Sequence, residues 1–170
     1  MSESTNQRTL IALLYGKGAH ANPVAAVHGI PAQLACRTLE GYPHSIWQIV
    51  SHMNYWMDYE LRRISGEEPV YPTHAAESWP SPSRMLTESE WQQVVALFAA
   101  SIDHLSALAK AGAEFLNREV KPAQAVPGQP PYSALDVLWQ LAMHNSYHVG
   151  QIVLLRRMLN HWHAEAGDTW

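Results

Sequence analysis

The chain predicts an all-α fold, most simply a four-helix bundle with long crossover connections, and three observations predict it. Three long segments carry apolar residues at i, i+3, i+4 spacing, and helix-capping signatures stand ahead of them. No segment shows a period-two alternation bounded by turn signals. With 170 residues, 47% apolar and 15% charged, the chain has enough material for one core, and 1–170 is expected to form a single domain.

In chain order, Thr9–Tyr15 is a short apolar helix that Gly16 and Gly18 stop. From His20 to Pro43, repeated Pro and Gly allow only brief helical turns, near Val24–Val27 and Ala32–Leu39. The second main helix is capped by Ser45, and Ile46, Ile49, Val50, Met53, Trp56, Met57, Leu61 and Ile64 form its stripe. It should end at Gly66. The 67–86 loop, with four prolines, Tyr71 and Trp79, is too aromatic for a mere linker and is expected to pack over one end of the domain.

Thr87-Glu88-Ser89-Glu90 is a capping box, so the third helix starts there, with Trp91, Val94, Val95, Phe98, Ile102, Leu105 and Leu108 on its stripe. Gly112 weakens it, and a proline-rich stretch from Pro122 to Pro131 follows. Ser133 with Asp136 repeats the capping pattern. Leu135, Leu138, Leu141, Val149, Ile152, Leu155 and Leu159 then carry the fourth helix to about Asn160, ahead of a polar tail over 161–170.

Composition narrows the function. Eleven Lys and Arg against fifteen Asp and Glu give a net charge of −4 with no basic run, so the electrostatic footprint of a nucleic-acid binder is missing. One cysteine, Cys36, forms no internal disulfide, which fits a reducing, cytoplasmic setting; it reads as buried and inert. No export signal and no apolar run of roughly 18 residues is present, so no membrane span is expected. Ten histidines and seven tryptophans are the oddity.

Two of those histidines, His144 and His148, are four residues apart on the fourth helix and therefore stack on one face, where both imidazoles reach a common ion. Chance alone yields on the order of half such a pair in this composition, so the spacing is weak evidence by itself. A zinc-protease site needs a glutamate directly after the first histidine, and here Asn145 stands there. The best third ligand is His52, in the middle of the second main helix on a flank of its inward stripe. The ordinary alternative is a bundle whose histidines are satisfied by polar neighbours.

Gln151, two turns past His144, either hydrogen-bonds a bound group or fills a packing gap beside Gly150. Asn54, Tyr55 and Tyr147 either orient the ligands or simply pack. Trp47, Trp56, Trp91 and Trp139 read as core or dimer-interface residues, whereas Trp79 and Tyr71 are better placed to line a pocket. His20, His28, His44, His74, His104, His161 and His163 have no partner at ligand spacing on a clear helix. No catalytic base stands out.

The segments Ser45-Ile46-Trp47-Gln48-Ile49-Val50-Ser51-His52-Met53-Asn54-Tyr55-Trp56 and His144-Asn145-Ser146-Tyr147-His148-Val149-Gly150-Gln151-Ile152-Val153-Leu154-Leu155-Arg156-Arg157 resemble the two signature helices of the DinB family, also called YfiT-like. The helices agree in order and separation over most of the chain. The resemblance implies a four-helix bundle of up-down-down-up topology, a divalent ion held by His52, His144 and His148, and frequent homodimers.

Three neutral imidazoles leave ligand positions open, as catalytic sites do. They suit zinc, nickel, copper or iron, with zinc or nickel preferred. The first functional expectation is a metal-dependent enzyme that activates a low-molecular-weight thiol, or water, for attack on an electrophilic small molecule, as a thiol S-transferase does. The second is a non-catalytic metal- or small-ligand-binding stress-response dimer. A third, a plain helical dimerisation module, requires no ion.

Overall fold

The computed structural model describes residues 4–122 and 131–162. Most of the polar tail, including His163, and most of the Pro122–Pro131 stretch lie outside the described residues. The chain runs α1 (Thr5–Leu14), α2 (Pro23–Val27), α3 (Ala32–Ala35), α4 (Ile46–Ser65), a 3-10 turn (Ala75–Ser78), α5 (Glu88–Ala109), α6 (Ala113–Leu116), β1 (Glu119–Val120), β2 (Tyr132–Ser133) and α7 (Ala134–Met158). The fold is predominantly helical. The two short strands pair antiparallel, Glu119 opposite Ser133 and Val120 opposite Tyr132.

The long helices begin and end where side-chain chemistry says they should. Ser45, Thr87 and Ser133 form capping boxes with Gln48, Glu90 and Asp136, satisfying backbone donors that have no partner within the first turn. Gly66 closes α4 in the left-handed region at φ 96°, with Glu67 N–H donating to Arg62 O, a termination that glycine makes without a Cβ penalty. Asn160 does the same after α7 at φ 54°. At the other end of the chain, α1 starts four residues earlier than its apolar run, because Ser4 and Gln7 form a capping box on a polar first turn.

Helices α1 and α4 each pack against α5 and α7, and α5 also meets α7. Because α7 additionally touches α2 and α6, it is apolar on several faces and not only on one stripe. Met53 and Met57 from α4, Trp91 and Phe98 from α5, and Leu138 and Ile152 from α7 are fully buried between them. Truncating Phe98 or Trp91 to alanine would cost about 3–5 kcal/mol. Trp91 also donates from Nε1 to Ile30 O at 2.6 Å, and Glu88 accepts from Ala32 N–H at 2.8 Å, so the α2–α3 segment is tied to α5.

Arg156, buried on α7, donates to the carbonyls of Ala25, Ala26 and His28. These carbonyls lie at the α2 C-terminus, where the helix dipole favours a cation, and Ala25 O is shared with the His28 N–H. Among the described residues, no helix is long and apolar enough to cross a membrane. The net arrangement lays α4 along α7, which sets their facing side chains within reach of each other.

Candidate metal centre

His52 projects from the second turn of α4, and His144 and His148 from successive turns of α7. Packing of the two helices brings the three rings together: His144 Nε2 lies 3.2 Å from His52 Nε2 and 3.1 Å from His148 Nε2. The earlier histidine and the later pair, more than ninety positions apart, thus meet at one point. Imidazoles arranged this way cannot fully satisfy one another, since His144 Nε2 offers either one proton or one lone pair to two approaching nitrogens.

A common cation resolves that conflict. Nitrogen ligands sit about 2.0–2.1 Å from zinc-like ions, and separations of 3.1 and 3.2 Å then correspond to angles of about 100° at the ion, near tetrahedral. The donor set therefore fits a divalent transition metal. Among the described residues this cluster holds three histidines and no carboxylate.

The rings are held from behind. His148 Nδ1–H donates to Gln151 Oε1 at 2.7 Å, which leaves the lone pair on Nε2, the atom at the cluster. His52 Nδ1 is 3.0 Å from Ser78 Oγ at the end of the 3-10 turn. The indole of Trp79 stacks on the His52 ring at 3.8 Å between centroids and 8° between planes.

Electrostatics keep the cluster neutral. Burial, and then the neighbouring rings of His148 and His144, push His52 down to about 3. Burial followed by His148 pushes His144 down to about 4, and burial lowers His148 as well. At neutral pH all three carry the lone pairs that ligation requires.

Other residues singled out in the sequence fall in several places. Gln151 contacts a ring of the cluster from behind instead of lining the space in front. Asn54 Nδ2 donates to Val94 O at 3.0 Å, so this side chain serves the α4–α5 contact. Tyr55 sets its ring edge-on to Trp56 at 5.3 Å, and Tyr147, largely exposed, lies edge-on to His148 at 5.0 Å. Trp79 meets the cluster directly. Tyr71 instead packs on Trp56 and Tyr59, and lines a cleft of about 310 Å³ with Arg63 and Lys121. Cys36 is buried and accepts from Leu86 N–H.

Ser78 carries no mark in the sequence beyond its place in an aromatic loop, and His44, which has no partner at ligand spacing there, joins the cluster through Trp79. His44, beside the Ser45 cap, stacks on the far face of Trp79 at 3.7 Å and 7°.

The family comparison agrees with this geometry. The model of the DinB superfamily matches residues 18–152, a span that includes α4, the 3-10 turn and the first part of α7 with all three histidines. No curated protein and no solved structure matches the chain. With most of its length and its whole histidine cluster inside that match, the chain belongs to the DinB superfamily.

Proposed function

We propose that the protein is a divalent-metal-dependent enzyme in which His52, His144 and His148 are the ligands and a small molecule is activated in front of them. One observation carries this reading, the meeting of three neutral Nε2 atoms, those of His52 and His148 lying 3.2 and 3.1 Å from that of His144. When bound, the ion supplies Lewis acidity and acidifies a thiol or water entering an open position. The chain's own part is to hold three lone pairs in place: Gln151 and Ser78 orient two of the rings, and burial keeps the second proton off all three.

We assign the reaction class as attack by a low-molecular-weight thiol on an electrophilic small molecule, with water as the alternative nucleophile. Among the described residues the cluster holds imidazoles alone, and this supports the thiol, because a thiol acidified toward neutrality needs less help from a protein base than water does. Three imidazoles suit zinc, nickel, copper or iron about equally, and of these we assign zinc or nickel. The same reading takes residues 1–170 as one domain, a four-helix bundle with long crossovers built on α1, α4, α5 and α7, working as a homodimer in the cytoplasm.

A non-catalytic metal-binding dimer is the second reading. It is favoured by one feature, the close cover that Trp79 and Ser78 place over His52. Elemental analysis of tag-free protein, followed by loss of thiol in the presence of a test electrophile such as monochlorobimane, separates the readings. Metal at one equivalent with metal-dependent thiol consumption supports the enzyme. Metal without turnover favours the binding protein, and no metal overturns both.

A further inference from the structure

His44 belongs to no helix and lies outside the ligand triad, yet three observations connect it to two of the ligands. Its ring closes a three-ring column, His44 on Trp79 at 3.7 Å and Trp79 on His52 at 3.8 Å, with interplanar angles of 7° and 8°. A cavity of about 40 Å³ lies beside it, lined by His44, Gln151, Tyr42, Pro43, Ile49 and Leu155. Finally, His44 Nδ1 is buried without a hydrogen-bond partner, which is costly unless a solvent molecule meets it. The cavity exceeds the roughly 10–15 Å³ that one water needs. Gln151 also lines it, and the Oε1 of that side chain is already engaged by His148, while its amide nitrogen has no protein partner among the described residues.

We propose that His44 is a positioning residue for the histidine cluster, acting on His52 through Trp79 and on His148 through a water held between His44 Nδ1 and the Gln151 amide. The water donates to His44 Nδ1 and accepts from Gln151 Nε2–H, which orients the Gln151 carbonyl toward His148 Nδ1–H. The column meanwhile fixes the plane of the His52 imidazole. Both effects point the Nε2 lone pairs at one place. Outer partners of this kind change metal affinity by about 10–100-fold. The inference rests on the metal-site reading above only for its effect on affinity; the tautomer of His148 is independent of any ion.

The test uses the full chain with His44→Ala and His44→Phe, the second keeping an aromatic ring in the column while removing the nitrogen. In metal-free protein, ¹⁵N-histidine spectra should show His148 as the Nδ1–H tautomer in wild type and as a mixture in both variants. Cobalt titration, followed by its visible absorption, should give dissociation constants weakened about 10–100-fold in His44→Ala and less in His44→Phe. If both variants keep the wild-type tautomer and cobalt affinity, the positioning role is wrong. If wild type binds no cobalt while the tautomer still shifts, the metal reading fails and the role of His44 stands.

Discussion

The side-chain oxygen of Gln151 lies 2.7 Å from Nδ1 of His148, one helical turn apart on α7. The contact selects one tautomer of the imidazole and so decides which nitrogen carries the lone pair at the cluster. Replacing Gln151 with alanine removes that selection without touching the three rings. The expected result is a fall in zinc affinity of about 10–100-fold, read by competition with a chromogenic chelator, while the helical circular dichroism stays at the wild-type level. Unchanged zinc affinity would show that the hydrogen bond has no part in the site.

The ligand positions should respond more strongly than their supports. Single replacements His52→Ala, His144→Ala and His148→Ala are each expected to weaken metal binding by more than about 100-fold, beyond the effect of an outer partner. Because ion binding to the folded state raises its stability, one equivalent of zinc should raise the wild-type melting temperature and leave the variants' unmoved. A full zinc shift in any one of the three removes that residue from the ligand set.

The pH response of the metal-free protein follows from the direction of the shifts. In the unfolded chain the histidines titrate near the ordinary value of 6.5, whereas folding holds His52 down to about 3 and His144 to about 4. Between those limits the unfolded state binds more protons, so stability falls as pH drops from 6.5 toward 4 and these groups contribute no slope above it. Urea denaturation at pH 7.5, 6, 5 and 4 should show that decline, with a shallower one in the double variant His52→Gln, His144→Gln. Equal slopes would mean that the rings are not held neutral by the fold.

How much of this was legible before the structure depends on whether the signal is local. Ser45 with Gly66, Thr87 with Glu90, and Ser133 with Asp136 mark helix ends because capping is settled within a few residues. The same signal stands at Ser4 and Gln7, but the first turn of α1 is polar, so its apolar periodicity begins only after the helix has started. Strand pairing between Glu119 and Ser133 joins distant, very short segments and has no local trace. At the site, the spacing of His144 and His148 and the place of His52 on a flank of the α4 stripe made them candidates, and the resemblance to the signature helices joined them into one set. His44 and Ser78 were not readable, because the path of the loops that carry them over α4 is a product of tertiary packing.

The 3-10 turn gives a separate check on the cover over His52. Ser78→Ala leaves Nδ1 of a buried imidazole without its hydroxyl partner, and an unsatisfied buried polar group costs about 1–3 kcal/mol. The variant should therefore unfold at lower urea concentration, with the metal-free protein affected. Stability equal to wild type would mean that solvent already replaces the hydroxyl.

Glu60 and Arg63 form an ion pair at 2.5 Å, both side chains less than a tenth exposed, and Arg63 also donates to Lys121 O just past β1. Burial pushes the Glu60 carboxyl up, and the neighbouring guanidinium opposes that shift. Removing only the cation, as in Arg63→Met, strands a buried carboxylate and the Lys121 carbonyl, a change expected to cost about 3–5 kcal/mol. Removing both charges, Glu60→Leu with Arg63→Met, should recover most of that loss, since buried pairs are often replaceable by apolar side chains of similar volume. The comparison isolates the uncompensated charge from lost packing. Measured by urea denaturation near neutral pH, a double variant as unstable as the single one would place the contribution of Arg63 in its bond to Lys121 O, the link between α4 and the strand pair, and not in the ion pair.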